Sequence, residues 1–201
     1  MMVSVDRMRV LDVLAEATNV IAEGEVLQLM NMHDPDTSVE DYLRVIRYKT
    51  AKLFESSARI GAVLADATPE VEAACAAYGQ ALGTAFQIVD DLLDYEGATA
   101  QLGKNVGDDL REGKPTMPLL LAMQAGSEEQ RQLIRHAIEH GEVERLDEIV
   151  EIVRSTGAIE ATRQAAQDEA RKAQDHISAL PPSQFKEALL YLCVQAVERN
   201  S

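Results

Sequence analysis

Aromatic residues are scarce in this sequence, which has no tryptophan and only 4% Phe, Trp and Tyr together. It also lacks alternating runs of apolar and polar residues, the pattern of half-buried strands. Both absences argue against a β-sheet protein, because strands favour aromatic and β-branched residues. The hydrophobic fraction of 46% and the charged fraction of 26% are typical of a globular protein, and 201 residues suffice for one sizeable core. We predict an all-α fold that forms a single helical domain over residues 1–201.

Cysteine is nearly absent, since Cys75 and Cys193 are the only two. Both lie in apolar, helical contexts, which favours free buried thiols in a reducing compartment over a disulfide or a metal site. No apolar run reaches the roughly 20 residues that a membrane-spanning helix needs, and no signal peptide is visible. We therefore expect a cytoplasmic protein without stable membrane insertion.

Positive charge is also scarce, because 19 Lys and Arg residues stand against 34 Asp and Glu residues, a formal net charge of −15. Nucleic acids and anionic lipids bind through clustered positive charge, so this balance argues against both as direct partners. A phosphorylated substrate would need local cations or a metal ion in order to approach such a protein.

Helical periodicity runs through the whole chain. Thr37-x-x-Glu40 is a capping box that predicts a helix start, and Thr68-Pro69 predicts another. The predicted helices are residues 4–30, 37–65, 69–95, 116–125, 127–141, 142–155, 157–179 and 183–199. The four histidines fall on polar faces or turns, and no pair has a convincing ligand context, so we predict surface positions for His33, His136, His140 and His176.

The helix predicted over residues 69–95 carries an unusual acidic face. At about 100° per residue, Asp90, Asp91 and Asp94 share one stripe, whereas aliphatic residues fill the opposite arc. The ordinary interpretation is a solvated helix face. Against it, no Lys or Arg lies within a turn, like charges at this spacing repel, and Gly83 interrupts the stripe where a helix avoids glycine. A hard cation such as Mg²⁺ would offset these costs, and spacing alone leaves both interpretations open.

Three lysines lie where a bound anion would explain them. Lys49 is on an apolar helix face, so it either snorkels to water, the commoner outcome for an isolated Lys, or meets an anion; the acidic stripe favours the second. Thr50 adds a hydroxyl donor, although it can also bond its own helix backbone. Lys104 and Lys114 each follow a glycine in segment 101–118, which is either a solvated surface loop or a mobile lid over a phosphate.

These motifs together resemble those of the trans-polyprenyl diphosphate synthases. The Phe-Gln-x-x-Asp-Asp-x-x-Asp segment at residues 86–94 is similar to the second aspartate-rich motif of that family. Lys49-Thr50 and the two Gly-Lys pairs match the family in the same order along the chain. The resemblance covers nearly the whole chain and is greatest to the octaprenyl-type enzymes of bacteria.

The resemblance implies an isoprenoid-synthase-type bundle of helices around a central cavity. It implies that Asp90, Asp91 and Asp94 bind Mg²⁺, with Asp109 in the outer metal shell. The residues that it assigns to substrate binding are Lys49, Thr50, Gln87, Lys104 and Lys114. It gives all of these except Thr50 a catalytic role as well. It gives Glu25 and Gln28 a supporting role near the cavity.

The implied reaction is head-to-tail prenyl transfer, in which an allylic prenyl diphosphate is elongated with isopentenyl diphosphate. Overall likeness favours an octaprenyl product for quinone side chains, and family members are usually homodimers. Synthases of this family carry two aspartate-rich motifs on facing helices, and only the second is in this sequence. We therefore expect the carboxy-terminal two-thirds of a synthase, with the amino-terminal helices missing, and expect this chain alone to be inactive.

Three alternatives stay open at this point. The first is a non-catalytic regulatory subunit of a synthase, whose active site would be vestigial. The intact acidic and Gly-Lys motifs argue against it, because a vestigial site would have lost them. A class I terpene cyclase also uses aspartate-lined helices, although Lys49-Thr50 and the twin Gly-Lys segment fit the synthases better. The plainest alternative is a helical scaffold whose acidic stripe is incidental.

Overall fold

The structure is a computed structural model that describes residues 5–96 and 107–199. Within these ranges the chain forms α-helices and one π-helical turn, with no strand, which confirms the all-α prediction. The elements are α1 (Met8–Asn31), α2 (Val39–Ile46), the π-turn (Arg47–Ala51), α3 (Lys52–Leu64), α4 (Pro69–Glu96), α5 (Asp108–Arg111), α6 (Met117–Ala125), α7 (Glu128–His140), α8 (Leu146–Ser155), α9 (Ala158–His176) and α10 (Gln184–Val197). None of the described helices is both long and apolar enough to cross a membrane.

The long helix α4 is the centre of the bundle. It packs along α3 on one side and α9 on the other, and it also contacts α2, α5, α6 and α10. Its amino-terminal half packs small side chains against α9 and α10, where Cys193 is buried. Its carboxy-terminal half contributes Ile88 and Val89 to a second, larger cluster shared with α6 to α9. The acidic motif therefore sits on the most enclosed helix of the fold.

The carboxy-terminal helix returns the chain to this motif. Beyond α10, the Arg199 guanidinium lies 3.8 Å above the ring of Phe86 and donates a 2.9 Å hydrogen bond to the Phe86 carbonyl oxygen. A stacked, hydrogen-bonded guanidinium anchors the last turn of the chain to the middle of α4.

A network of ion pairs, here called the ion network, joins α1, α3 and α4 near the amino-terminal half of the bundle. It contains three cations and three carboxylates: Arg9, Lys52, Arg59, Glu16, Glu55 and Glu72. Lys52 is only 7% exposed and pairs with both Glu16 and Glu55 at 2.7 Å. The buried members of the network, Lys52 and Glu72, each have two oppositely charged partners, as the burial of a charge requires.

Two details of the first half differ from prediction. The cap of α2 is Ser38, whose hydroxyl accepts from the Asp41 N–H at 3.0 Å, whereas the Thr37 hydroxyl donates to the Asp34 carbonyl. The capping box predicted at Thr37 is therefore wrong by one residue. The helix predicted over residues 37–65 is present, but the π-turn divides it into α2 and α3 while the backbone stays helical through Arg47–Ala51.

Candidate active site

The π-turn places Lys49 and Thr50 between α1 and α4. Two glycines allow the close approach: a Cβ added at Gly24 of α1 would lie 2.5 Å from the Lys49 nitrogen, and one at Gly83 of α4 would lie 2.7 Å from the Ala51 Cα. Gly83, which we counted as indirect support for a metal site, thus has a packing reason of its own. A π-bulge widens the helix by one residue per turn and frequently occurs at functional sites.

A cavity of about 120 Å³ opens beside the π-turn. Its walls come from α1, α2, the π-turn, α4 and the segment from α5 to α6, and they include the predicted site residues Lys49, Thr50, Gln87, Asp91, Asp109 and Lys114. At roughly 30 Å³ per water molecule, this volume suits a few waters or a small polar group. The structure therefore brings most of the predicted residues to a single cavity.

The carboxylate of Asp91 is fixed from two sides. The Tyr42 hydroxyl donates to Asp91 Oδ2 at 2.6 Å, and Gln87 Nε2 donates to Asp91 Oδ1 at 2.9 Å. The Thr50 hydroxyl in turn donates to Gln87 Oε1 at 3.0 Å. Asp91 is 5% exposed, so its position depends on these donors rather than on water. These three hydrogen bonds connect the π-turn, α2 and α4 through the Asp91 carboxylate.

Tyr42 is a site residue that sequence reasoning missed. It lies in the helix predicted over residues 37–65, on the face of the core residues Val45 and Ile46, and 49 residues separate it from Asp91. A Tyr on an apolar helix face is normally part of the hydrophobic core, and the ring of Tyr42 is indeed buried. Only the direction of its hydroxyl, which depends on how α2 packs against α4, reveals the polar role.

Lys49 meets anionic and polar partners on α1. Its Nζ lies 3.0 Å from Glu25 Oε2 and donates a hydrogen bond to Gln28 Oε1. The lysine thus faces the cavity, but its partner is Glu25 rather than the aspartates of α4. Glu25 and Gln28, which the resemblance placed near the cavity, hold the ammonium group at the cavity wall.

The segment from α5 to Lys114 contacts the carboxy-terminal end of α4. Lys114 Nζ pairs with Asp109 Oδ1 at 2.9 Å and with Glu112 Oε2 at 2.6 Å. The Asp109 N–H donates to Asp94 Oδ2 at 3.2 Å. These contacts hold Lys114 over the cavity, whereas the other predicted lysine of segment 101–118, Lys104, lies outside the described residues.

Burial and excess negative charge raise the pKa of two aspartates of the motif. Burial raises the pKa of Asp91 to about 7, with added repulsion from Asp109 and Asp90, despite the hydrogen bonds from Tyr42 and Gln87. Burial, and next the charge of Asp109, raise the pKa of Asp94 to about 6. A carboxyl pKa rises this far when the group is buried and negative neighbours are not offset by positive charge. A divalent cation would supply that charge, and an all-oxygen donor set suits Mg²⁺.

The three aspartates of the motif have different surroundings. Asp91 lines the cavity, whereas Asp90 and Asp94 are partly buried on the same helix and do not line it. Across the described ranges, their carboxylate oxygens do not close into a cluster within 4.8 Å of one another. The carboxylate chemistry and the negative charge fit a cation, whereas the geometry does not bring the three ligands together. Asp91, fixed by two hydrogen bonds, is the best-oriented candidate ligand.

Comparison with known proteins places this site in a family. Residues 1–153 match the family model described as polyprenyl synthetase. The chain is 54% identical to octaprenyl diphosphate synthase of Escherichia coli (strain K12) over 201 residues, covering 100% of this chain and 62% of that protein. It is 50% identical over 196 residues to octaprenyl diphosphate synthase of Haemophilus influenzae, covering 97% of this chain and 60% of the relative.

A solved structure of similar fold is the polyprenyl synthase from Caulobacter crescentus CB15 complexed with calcium and isoprenyl diphosphate. Its sequence is 43% identical to this chain, and the two structures superpose with a TM-score of 0.93. The match covers 100% of this chain and 62% of that chain. The chain thus spans less than two thirds of the length of these relatives, and the fold prediction of an isoprenoid-synthase-type bundle is confirmed. By motif, fold and sequence, the chain belongs to the polyprenyl synthetase family.

Proposed function

We propose that this chain forms part of a trans-polyprenyl diphosphate synthase that elongates an allylic prenyl diphosphate with isopentenyl diphosphate. In the reaction, the allylic C1–O bond breaks and its electron pair leaves with the diphosphate. The double bond of isopentenyl diphosphate then attacks the allylic cation at C1, and a proton leaves the adduct. Catalysis consists mainly of stabilising the negative charge that develops on the departing diphosphate.

The proposed metal ligands are Asp90, Asp91 and Asp94. When bound, Mg²⁺ would supply Lewis-acid stabilisation of the diphosphate oxygens. Tyr42 and Gln87 keep the Asp91 carboxylate in one orientation, which lowers the cost of ordering it when a ligand arrives. This support explains why a buried carboxylate with a raised pKa is retained on the central helix.

The proposed phosphate-binding groups are Lys49, Thr50, Gln87, Lys104 and Lys114. In the structure, Lys49 pairs with Glu25 and Lys114 pairs with Asp109 and Glu112. Substrate binding would exchange these carboxylates for phosphate oxygens. Because partly exposed ion pairs contribute only about 0–1 kcal/mol each, the exchange is inexpensive, and the freed carboxylates remain near the incoming metal.

The finer assignments belong to the whole protein. We propose an octaprenyl product that serves as a quinone side chain, on the strength of the similarity to octaprenyl diphosphate synthases. A homodimer, a cytoplasmic location and a single helical domain that includes residues 1–201 complete the proposal. The free thiols of Cys75 and Cys193 agree with a reducing compartment.

The observation that carries the proposal is that Asp91, fixed from two sides, shares one cavity with Lys49 and Lys114. The test is a chimaera in which this chain replaces the matching portion of the E. coli synthase. We expect it to incorporate labelled isopentenyl diphosphate into a long-chain product with Mg²⁺ present. A folded chimaera that shows no incorporation, while the parent enzyme is active in parallel, would refute the proposal.

The same assay separates the alternatives. A terpene cyclase would consume the allylic diphosphate and form a hydrocarbon or alcohol without isopentenyl diphosphate. A regulatory subunit would tolerate Asp91→Ala, because its own carboxylates would have no part in the reaction. We expect product only when both substrates are present, and none from the Asp91→Ala chimaera.

A further inference from the structure

The last turn of α7 carries a second group of potential metal ligands, which differs from the aspartates because it includes two histidines. His136, Glu139 and His140 occupy positions i, i+3 and i+4, so they share one face of the helix. Each offers a ligand atom, and these atoms lie within 4.8 Å of one another. All three residues are exposed, as predicted for the histidines, but Glu139 completes a ligand set that the sequence argument overlooked.

The orientation of His140 suits metal binding. Its Nδ1 lies 2.9 Å from the His136 carbonyl oxygen. A carbonyl only accepts, so Nδ1 carries the proton and Nε2 keeps a free lone pair. A hydrogen bond from one ring nitrogen to a carbonyl is the usual way in which proteins orient a ligating imidazole. The centroids of the two imidazole rings lie 4.2 Å apart, with the ring planes inclined at 39°.

The electrostatic surroundings favour a cation. The group lies at the carboxy-terminal end of α7, where unpaired carbonyls give the helix dipole its negative pole. Glu142, just beyond the helix end, places Oε2 3.2 Å from His136 Nε2. A carboxylate oxygen only accepts, so Nε2 carries a proton and the lone pair that a metal ion could take is on His136 Nδ1. The neighbouring arginines are occupied elsewhere, because Arg135 pairs with Asp36 and Arg145 pairs with Glu148.

We propose that His136, Glu139 and His140 bind a divalent transition-metal ion of the zinc class. Two imidazole nitrogens and one carboxylate oxygen form a ligand set that zinc, copper and nickel accept readily. Mg²⁺ prefers oxygen ligands throughout, so this site and the aspartates select different ions. Three protein ligands leave one tetrahedral position for water or for a side chain of another molecule.

The test is a Zn²⁺ titration of the 201-residue chain by calorimetry, repeated in the presence of millimolar Mg²⁺. We expect one Zn²⁺ per chain at this site, and Mg²⁺ should not displace it. His140→Ala and Glu139→Gln should each weaken binding about tenfold or more, because even the loss of a residue that only supports a ligand has that effect. Both residues are exposed, so these variants should keep the fold of the unaltered chain, and circular dichroism checks that they do.

His176→Ala is the matched control, because it removes a single exposed histidine from the end of α9. It should bind Zn²⁺ like the unaltered chain, and Asp91→Asn should do the same. Equal affinities of His140→Ala, Glu139→Gln and the unaltered protein would overturn the assignment. Displacement of Zn²⁺ by Mg²⁺, or loss of binding in Asp91→Asn, would overturn it as well and move the ion to the aspartates.

Discussion

Two groups of charged side chains in the same bundle differ in the balance between positive and negative charge. The ion network of α1, α3 and α4 pairs three cations with three carboxylates. The aspartate site, defined here as Asp90, Asp91, Asp94 and Asp109, has only Lys114 in an ion pair with it among the described residues. Partners lower the pKa of Glu16 and Glu72 in the network, whereas burial raises those of Asp91 and Asp94.

This difference separates charges that stabilise the fold from charges kept for a ligand. A balanced network satisfies every buried carboxylate within the chain. An unbalanced one costs stability and persists only where a bound cation or substrate supplies the missing charge. Substitutions in the two groups should therefore affect different properties of the protein, and each of the following predictions tests that separation.

The largest effect is expected from Asp91→Asn in the chimaeric synthase. Removal of one preorganised charge at the reacting diphosphate should lower kcat by about 10²–10³-fold. The variant should fold at least as stably as its parent, because it removes a buried charge that repels its neighbours. Turnover of labelled isopentenyl diphosphate measures the first effect and thermal unfolding the second. Activity close to that of the parent would show that this carboxylate is not part of the site.

The matched change in the ion network is Glu72→Gln. Glu72 receives hydrogen bonds from Arg9 and Arg59 at 2.7–2.9 Å, so neutralising it should lower the free energy of unfolding by about 1–2 kcal/mol. At a temperature where the variant is folded, its turnover should equal that of the parent. Denaturant titration and the turnover assay test both statements. A loss of kcat without a loss of stability would remove the distinction between the two groups.

Stability should also depend on pH in opposite ways in the two groups. The folded-state pKa of Asp91 is about 7 and that of Asp94 about 6, both above ordinary carboxyl values, so the folded chain binds more protons than the unfolded chain near neutrality. Without divalent cations, lowering the pH from 8 to 6 should raise the free energy of unfolding by about 1–2 kcal/mol. The network's lowered pKa values affect stability only in more acidic solution. Asp91→Asn should flatten most of the dependence between pH 6 and 8.

The smallest effect is expected from Tyr42→Phe, which removes one hydrogen bond to Asp91. We expect a loss of about 1 kcal/mol in the free energy of unfolding and a roughly tenfold drop in turnover, because the carboxylate is held less firmly. Tyr78→Phe is the control, since the Tyr78 hydroxyl donates to the Leu189 carbonyl at 2.9 Å in the other half of α4. The control should lose similar stability and no turnover. Equal turnover losses in both variants would mean that Tyr42 acts only through the fold.

Local patterns in the sequence account for much of this structure. Helical periodicity and the Thr68-Pro69 start place α4 at Pro69–Glu96, one residue from the prediction. Spacing singles out the acidic motif and the Gly-Lys pairs but leaves their role open, and only the resemblance to a family assigns it. The structure brings Asp91 and Lys114 to one cavity. These features depend on residues within a few turns of one another, which is the range that sequence patterns report.

Features that depend on helix packing were not predictable. The π-turn forms where α1 and α4 approach closely at Gly24 and Gly83, and nothing in its own five residues signals the extra turn. The hydrogen bond from Tyr42 to Asp91 and the pairing of Lys49 with Glu25 likewise join separate helices. Each is a consequence of three-dimensional proximity, so sequence reasoning missed Tyr42 and did not predict Glu25 as the partner of Lys49.

The most direct test of the central claim is the effect of Mg²⁺ on thermal unfolding of the 201-residue chain at pH 8. A ligand that binds the folded state raises its stability even when its affinity is weak, provided that its concentration exceeds the dissociation constant. We predict that millimolar Mg²⁺ raises the melting temperature of the unaltered chain and of Glu72→Gln, and leaves Asp91→Asn unchanged. Equal stabilisation of Asp91→Asn, or no effect on the unaltered chain, would contradict the account of the aspartates as a cation site.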